Sequence, residues 1–233
     1  MRAAGQRVAL VSGVSSGIGR QIAQALLAQG WQVIGLSRRA PEPGHPNLRH
    51  IAVDLSDAKA LETALAGIGP LDAIVHAAGV LRVGTVGALD PANGEAMWRL
   101  HVMAAERIVN TLVPGLADGG RIVLIGSRTA AGSAGRSQYA ATKAALVGMA
   151  RSITRELGVR GVTANVIAPG FIETDMTAVL PDDVIADYKK RIPAGRLGVV
   201  DDVAAAALFL AGDQAGYISG AVLPVDGGLG MGH

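Results

Sequence analysis

Tyr139 and Lys143 are the residue pair in this sequence whose types and spacing most directly suggest chemistry. They stand four residues apart at the start of a helical stretch, 139–157, so their side chains share one helix face. A tyrosine exchanges protons poorly at neutral pH, because its pKa is about 10. A neighbouring ammonium favours the phenolate and lowers that pKa, which predicts a general acid or base. The alternative is an exposed pair on a surface helix, yet chance places few such pairs in a chain with three tyrosines.

Ser127 precedes Tyr139 by twelve residues and follows an apolar strand pattern at 121–125. Ligands of open parallel sheets bind at the carboxyl ends of the strands. A serine hydroxyl at such a position can donate a hydrogen bond to an alkoxide that develops beside Tyr139. Alone, Ser127 is an ordinary turn serine. Together with the tyrosine and the lysine, it becomes a candidate catalytic residue.

A glycine-rich loop follows the first predicted strand, 7–12. Glycines let the backbone turn sharply and approach a pyrophosphate. The N-terminus of the next helix stabilises the negative charge of that group. Serines in the loop add hydroxyl donors and can cap that helix. Because the loop opens an alternating strand and helix pattern, it indicates a dinucleotide site rather than a plain turn. The residues predicted to bind are Gly13, Ser15, Ser16, Gly17, Ile18 and Gly19.

The end of the second predicted strand, 31–36, distinguishes between the two nicotinamide dinucleotides. An acidic residue at this place binds the ribose 2′-hydroxyl of NAD. This sequence has Ser37, Arg38 and Arg39 instead, and no acid before Glu42. Guanidinium groups bind a 2′-phosphate well. The pattern therefore predicts NADP(H), with Arg38 nearest the phosphate, over the alternative of a solvated basic turn.

Short apolar runs alternate along the chain with longer Ala- and Leu-rich helical stretches. Nearly all-apolar strands, each followed by a helix, are typical of a parallel sheet covered on both faces. Right-handed connections then give an α/β, doubly wound Rossmann-type fold with a mostly parallel seven-stranded sheet. Pro224 indicates that the last strand lies at an edge of the sheet or that the strand ends near this residue. The predicted strands are 7–12, 31–36, 50–53, 71–75, 121–125, 162–167 and 221–225. The first predicted helix follows the glycine-rich loop and runs through Ile22, Ala25 and Leu26, and the later helices are 58–66, 91–116, 139–157 and 201–211.

The composition favours a single domain over residues 1–233. Half of the residues are hydrophobic and only 17% are charged, so a large core can be buried. The longest irregular segment, 171–198, is partly helical by pattern, and we expect it to be a substrate lid. The chain has no cysteine, which excludes disulfides and thiolate metal sites, and no metal is predicted.

Charge and hydropathy argue against two other classes of protein. The net charge is +2, and the basic residues are scattered without interleaved aromatics, so no nucleic-acid partner is expected. The longest apolar run, 203–211, is too short to span a bilayer, and the N-terminus lacks the pattern of a signal peptide. We therefore expect a cytoplasmic protein with no membrane partner.

Together these segments resemble the short-chain dehydrogenase/reductase family over nearly the whole chain. The loop 13–19 is similar to the family's GxxxGxG signature. Ser127, Tyr139 and Lys143 match its catalytic serine, tyrosine and lysine. The resemblance implies that Lys143 also binds the nicotinamide ribose.

The resemblance extends to three further segments. Asp54 and Leu55 match a pair that contacts the adenine, and residues 169–174 resemble the segment that packs on the nicotinamide. Residues 76–79 (His-Ala-Ala-Gly) resemble the family's Asn-Asn-Ala-Gly with both asparagines replaced. The full set of residues expected to bind NADP(H) is Gly13, Ser15, Ser16, Gly17, Ile18, Gly19, Ser37, Arg38, Asp54, Leu55, Ala77, Ala78, Gly79, Tyr139, Lys143, Pro169, Gly170, Ile172 and Thr174.

Within the family, several segments resemble β-ketoacyl-acyl carrier protein reductases. They are 148–152, 163–166, 174–177 and 217–221, while the tail 224–233 is similar to actinobacterial members. The resemblance implies NADPH-dependent reduction of a 3-oxoacyl thioester in fatty acid biosynthesis, by a homotetramer. Two other functions stay open: reduction of a polyketide or another small ketone, and a catalytically weak NADP-binding regulator.

The sequence departs from the family's pattern near the catalytic residues. His101 occupies the position where the family has a catalytic asparagine that holds a proton-relaying water. A neutral imidazole can also bind a water, so His101 is a candidate catalytic residue for the same relay, and an ordinary histidine would add a titration near pH 6.5. The alternative is that His101 is merely tolerated there. The loop between Ser127 and Tyr139 is one residue shorter than in the β-ketoacyl-acyl carrier protein reductases that the sequence resembles. Arg128 and Arg136 flank the expected mouth, either to meet an acidic carrier protein or as solvated charges.

Overall fold

The structure, a computed structural model, describes residues 5–174 and 181–231. Residues 175–177 of the segment that resembles the reductases, residues 175–180 of the expected lid and residues 232–233 of the tail lie outside this range. The described strands and helices are β1 (Val8–Ser12), α1 (Gly17–Ala28), β2 (Gln32–Ser37), β3 (Leu48–Ala52), α2 (Ala58–Leu65), β4 (Leu71–His76), α3 (Pro91–Trp98), a π-helical turn (Arg99–Met103), α4 (Ala104–Leu112), β5 (Leu116–Ile125), α5 (Ser137–Leu157), β6 (Thr163–Pro169), α6 (Asp182–Arg191), α7 (Val200–Ala211) and β7 (Val222–Val225).

The described strands form one seven-stranded sheet in the order β3-β2-β1-β4-β5-β6-β7. Each neighbouring pair in this sheet is parallel, so the predicted fold class is confirmed. β1 pairs with β2 on one side and with β4 on the other, so the strand order reverses there. Open α/β sheets bind their ligands at such a reversal, outside the carboxyl ends of the strands.

Alternate side chains of the central strands build a separate core on each face of the sheet. Leu10 and Ile74 point to one face, where they pack with Ile108 of α4. Val11 and Val75 point to the other face, where they pack with α1 and α7. Because both faces are covered, these strands are apolar throughout, which explains the nearly continuous apolar runs in the sequence.

The predicted helix 91–116 is wrong as one element. The structure interrupts it with the π-helical turn Arg99–Met103, ends α4 at Leu112 and starts β5 at Leu116. A 3₁₀ turn at Val113–Gly115 contains Pro114, whose ring cannot continue an α-helix. The early start of β5 escaped the sequence analysis because its first residues include Asp118 and two glycines, which are unfavourable in strands.

β7 lies at the edge of the sheet, as Pro224 predicts. Among the described strands its one neighbour is β6, with Ala168 opposite Pro224. Between these two strands in the chain, the described part of segment 171–198 contains α6 and a short bridge between Ile172 and Gly198. The helical content is therefore confirmed, whereas the lid itself stays a prediction.

Candidate active site

A cavity of about 870 Å³ opens at the carboxyl ends of the central strands. Each residue predicted to bind NADP(H) lines it, and so does Ser127. A cavity of this size has room for a cofactor and a small substrate. The fold thus brings together the glycine loop, the basic turn after β2 and the Tyr139–Lys143 pair, which are far apart in the sequence.

The glycine loop lies so close to neighbouring backbone that two of its glycines have no room for a side chain. A Cβ on Gly19 would stand 2.3 Å from the Gly13 carbonyl oxygen. Gly13 has a φ of +78°, and a Cβ there would stand 2.9 Å from the backbone of Ala78. Ser16 occupies the N-cap of α1, but its side chain makes no capping hydrogen bond, so the predicted serine cap is wrong for this residue. The shape suits a pyrophosphate at the helix N-terminus.

The segment 169–174 closes the other wall of the cavity. Gly170 donates its N–H to the Val225 carbonyl oxygen at 2.9 Å, and a Cβ on it would stand 2.6 Å from Asp226. A Cβ on Gly17 would stand 3.9 Å from the Thr174 methyl group, so this wall reaches across to the glycine loop. The predicted nicotinamide segment therefore faces the predicted pyrophosphate loop.

The turn after β2 is held by a histidine that the sequence analysis did not place in the site. The Ser37 hydroxyl donates to the Arg39 carbonyl oxygen at 2.6 Å. His50 Nε2 lies 3.0 Å from that hydroxyl and 3.1 Å from the Ser37 carbonyl oxygen, so it donates to these acceptors. These bonds fix the turn while Arg38, which is exposed, lines the cavity rim.

Asp54 lies on the same side of the cavity as Arg38. Its carboxylate accepts hydrogen bonds from the Ser56 backbone N–H at 2.9 Å and from the Ser56 hydroxyl at 2.7 Å. These bonds lower the pKa of Asp54, and the charge of Arg38 adds to the lowering. Asp54 is therefore a fixed, ionised acceptor where the family resemblance expects an adenine contact.

Lys143 is almost completely buried behind the cavity. Its Nζ donates to the Ile125 carbonyl oxygen at 2.9 Å and lies 5.7 Å from the centre of the Tyr139 ring. Burial lowers the pKa of Lys143 to about 7. A strand end therefore fixes the ammonium next to the tyrosine, but this ammonium loses its proton easily.

The pKa of Tyr139 differs from the expectation. Burial raises it above the usual value, while a hydrogen bond with Ser127 and the charge of Arg136 lower it. The expected lowering by Lys143 is not found, and burial lowers the pKa of Lys143 itself. A raised pKa keeps the phenol protonated at neutral pH, which suits a proton donor to a carbonyl oxygen.

His101 lies just behind the cavity wall, and protein groups occupy both of its ring nitrogens. Its Nε2 accepts from the Val80 N–H at 2.9 Å, so the proton sits on Nδ1, which lies 2.8 Å from the Thr142 hydroxyl oxygen. Thr142 in turn donates to the Tyr139 carbonyl oxygen at 2.8 Å. The imidazole is fully buried and packs edge-to-face on the Tyr139 ring at 5.6 Å.

This environment corrects two expectations about His101. Burial, followed by the charge of Lys143, lowers the pKa of His101 to about 2, so a titration near pH 6.5 is wrong. A relay needs a ring nitrogen for a water, but Val80 and Thr142 already use both nitrogens. The imidazole instead ties the loop after β4 to the helix that carries Tyr139 and Lys143.

His76, which stands where the family resemblance expects an asparagine, makes a second buried connection. Its Nε2 donates to the Leu100 carbonyl oxygen at 3.2 Å, and its Nδ1 accepts from the Ser12 hydroxyl at 2.9 Å. The Ser12 oxygen accepts from the N–H groups of Ala77 at 3.1 Å and Ala78 at 3.2 Å. Burial lowers the pKa of His76 to about 3. The cofactor wall at 77–78 is thus tied to β1 and to the π-helical turn.

Comparison with known proteins agrees with this geometry. A family described as Enoyl-(Acyl carrier protein) reductase matches residues 13–230. The 3-oxoacyl-[acyl-carrier-protein] reductase FabG of Salmonella typhimurium is 38% identical over 240 residues, covering 97% of this chain and 98% of the relative. MabA of Mycobacterium tuberculosis, also named a 3-oxoacyl-[acyl-carrier-protein] reductase, is 38% identical over 234 residues, covering 97% and 94%.

The chain belongs to the short-chain dehydrogenase/reductase family. A blue fluorescent protein from a metagenomic library, solved in complex with NADPH, has a TM-score of 0.85 at 34% identity and covers 96% of this chain and 97% of its own. A short chain dehydrogenase family protein from Francisella tularensis has a TM-score of 0.89, covers 97% of this chain and 99% of its own, and at 24% identity shows the fold alone. The family resemblance drawn from the sequence is confirmed.

Two structural absences bear on other classes of protein. No described helix is long and apolar enough to cross a membrane. Among residues 5–174 and 181–231, no group of three or more His, Cys, Asp or Glu side chains is arranged to hold a metal ion.

Replacing Gly19 by alanine is expected to abolish tight NADPH binding. The added Cβ would meet the Gly13 carbonyl oxygen at 2.3 Å, so the loop must move away from its binding shape. Fluorescence titration with NADPH measures the effect, which we expect to exceed about tenfold in Kd. Gly148→Ala is the control, because a Cβ on Gly148 in α5 meets nothing within 4 Å. Equal affinity in Gly19→Ala and the wild type contradicts this role of the loop.

The two buried histidines predict a loss of stability in acid. In the unfolded chain they bind protons near pH 6.5, whereas in the folded protein the pKa values are about 3 for His76 and about 2 for His101. The free energy of unfolding is therefore unaffected by the titration of these histidines above pH 6.5. It falls as the pH drops towards 3, by about 1.4 kcal/mol per pH unit for each histidine. At pH 5 each has lost about 2 kcal/mol.

Urea unfolding of wild type and His101→Asn at pH 7.5 and pH 5.0 tests this prediction. For each protein, the free energy of unfolding at pH 5.0 is subtracted from that at pH 7.5. This difference should be about 2 kcal/mol smaller in the variant than in the wild type, whatever the absolute stability of the variant. The exposed His45 provides the matched control, since His45→Asn should keep the wild-type difference. If His101→Asn keeps it as well, the neutral buried imidazole is disproved.

Proposed function

We propose that this protein uses NADPH to reduce the ketone of a 3-oxoacyl thioester to a secondary alcohol. The observation that carries the proposal is that Ser127, Tyr139 and Lys143 line the same cavity as the glycine loop and Arg38. The names of the relatives that are 38% identical over nearly the whole chain support the acyl substrate.

The residues present fit NADP(H). The glycine loop lines the cavity at the N-terminus of α1, where a pyrophosphate is favoured, and two of its glycines have no room for a side chain. Arg38 at the rim of the cavity suits a 2′-phosphate. Lys143 would hold the nicotinamide ribose, and the wall at 169–174 would bound the nicotinamide. When bound, NADPH supplies the hydride for the ketone carbon.

The chain's own residues manage the charge on the substrate oxygen. Tyr139 donates its proton to that oxygen, and the Ser127 hydroxyl stabilises the negative charge that develops there. His101, through Thr142 and the ring contact, keeps Tyr139 in position. Because the protein engages both His101 nitrogens, Tyr139 then regains a proton by a path that does not use this imidazole.

The enoyl reductase named in the family description is a different reaction, because it reduces a carbon–carbon double bond. The names of the relatives that are 38% identical over nearly the whole chain favour reduction of the ketone. NADPH oxidation with acetoacetyl thioester, crotonyl thioester and a small ketone panel separates these reactions. Turnover of the ketones alone, without the 3-oxoacyl thioester, supports the alternative of a polyketide or small-ketone reductase, while NADPH binding without turnover supports the regulator.

A carrier-bound form of the substrate is proposed from the names of the relatives. Of the two arginines considered for carrier binding, Arg136 lines the cavity, whereas the Arg128 stem packs near Gly230, whose Cβ would stand 3.0 Å from Arg128 Cδ. The homotetramer and the cytoplasmic location stay predictions from the sequence.

Removing the phenol hydroxyl with Tyr139→Phe should lower kcat by at least about 100-fold, because the variant loses its proton donor. Steady-state oxidation of NADPH with acetoacetyl thioester measures kcat, and titration shows that NADPH still binds. The matched control is Tyr217→Phe, which removes a hydroxyl from a fully exposed tyrosine. Near-normal turnover in Tyr139→Phe contradicts the assignment.

Arg38→Ala should reduce the preference for NADPH over NADH by about 10- to 100-fold, the loss expected for a charge-assisted bond to phosphate. The KM for each cofactor is measured with the same substrate. NADH is the internal control, because it has no 2′-phosphate and its KM should hardly change. An unaltered KM for NADPH overturns the role of Arg38.

A further inference from the structure

The short loop that leads from Ser127 to Tyr139 is joined to the loop after β4. The Gly84 N–H donates to the Gly135 carbonyl oxygen at 2.9 Å, and Gly84 forms a parallel bridge with Arg136. Gly135 has a φ of +70°, a conformation that other residues rarely adopt. The Arg136 N–H donates to the Ser133 carbonyl oxygen at 3.1 Å. The backbone of Arg136 is thus fixed at the N-cap of α5.

This backbone places the Arg136 side chain in the wall of the cavity. The residue is half-buried and lines the same cavity as Ser127 and Tyr139, three positions before the tyrosine on α5. Its charge is close enough to lower the pKa of Tyr139. The guanidinium therefore lies near the reacting end of the cavity rather than on a distant surface.

The donors of Arg136 are not used within the described part of the chain. Arg99, which also lines the cavity, is paired with Glu95 at 2.6 Å. For Arg136, by contrast, residues 5–174 and 181–231 supply no ion-pair partner and no acceptor for its guanidinium. A half-buried guanidinium has five N–H donors to satisfy, so it favours a ligand that brings an oxygen acceptor.

We propose that Arg136 binds the C1 oxygen of the substrate, two carbons away from the ketone that is reduced. This inference rests on the proposed function and narrows it to 1,3-dicarbonyl substrates. With the ketone oxygen at Ser127 and Tyr139, the next acceptor along a 3-oxoacyl group is the C1 oxygen, and Arg136 lines the same cavity. A thioester and a free 3-oxo acid both carry this oxygen, and an isolated ketone does not.

The recognition is by hydrogen bonding and changes no bond. A guanidinium donates to a neutral thioester oxygen, and it donates more strongly to a carboxylate, with which it forms a two-pronged pair. Arg136 is thus a specificity-determining residue that also orients the ketone. Its loss should affect substrates with a C1 oxygen far more than ketones without one.

The test compares wild type with Arg136→Gln, Arg136→Lys and Arg155→Gln at saturating NADPH. Arg155 is exposed and lies in the last turn of the same helix. Arg155→Gln therefore deletes an equal charge at a place far from the cavity. The substrates are the acetoacetyl thioester of N-acetylcysteamine, acetoacetate and 2-pentanone. Titration with NADPH and a thermal melt show whether each variant is folded and binds cofactor.

We expect Arg136→Gln to lower kcat/KM for the thioester by about 10- to 100-fold, with unchanged NADPH affinity. The ratio of kcat/KM for the thioester to that for 2-pentanone should fall by a similar factor, since any effect through the Tyr139 pKa cancels in it. Wild type that reduces the thioester but not 2-pentanone also supports the inference. Arg136→Lys should recover part of the loss, and Arg155→Gln should equal wild type.

The outcomes separate this inference from the proposed function. If Arg136→Gln lowers kcat/KM more for acetoacetate than for the thioester, the recognised group is a carboxylate. Otherwise it is the thioester oxygen. Equal losses for all three substrates, or an active Arg136→Gln on the thioester, overturn the role of Arg136 and leave the proposed function standing. Wild type that reduces no 3-oxoacyl substrate overturns both.

Discussion

The hydrogen bond from the Val80 N–H to His101 Nε2 joins the two halves of the catalytic arrangement. On one side of the imidazole lies the loop after β4, which forms the cofactor wall. On the other side lies α5, reached through Thr142 and the edge-to-face contact with Tyr139. Because this single neutral ring contacts both, the distance between cofactor wall and proton donor is set in a dry interior rather than at a solvated surface.

A second imidazole extends the same principle towards β1. His76 connects Ser12, whose oxygen holds the backbone at 77–78, with the Leu100 carbonyl oxygen in the π-helical turn. Buried polar groups cost free energy unless each is satisfied, and in these two histidines all four ring nitrogens have partners. Where the family resemblance expects amide side chains, the chain thus has rings that must stay neutral, which links the geometry of the site to the stability of the protein in acid.

Much of this arrangement follows from local sequence. The glycine loop, Arg38 and the Tyr139–Lys143 pair are each encoded within a few neighbouring residues, and the apolar runs reveal the sheet. The π-helical turn escaped prediction because residues 91–116 keep a helical pattern through it. The neutral state of His101 escaped because it depends on burial and on the charge of Lys143. The hydrogen-bond partners of its ring, Val80 and Thr142, lie 21 and 41 residues away in the chain. The position of Arg136 likewise depends on a backbone bridge to Gly84, which the local sequence does not predict.

The central claim is that NADPH delivers hydride to the ketone carbon of a 3-oxoacyl thioester. Reduction of acetoacetyl thioester with NADPH deuterated at the transferring position of the nicotinamide C4, followed by NMR of the product, tests it most directly. The account predicts one deuterium at C3 of a 3-hydroxybutyryl thioester, on the carbon that carries the new hydroxyl. A product without deuterium, or deuterium incorporated only into the saturated product of crotonyl thioester, would contradict it.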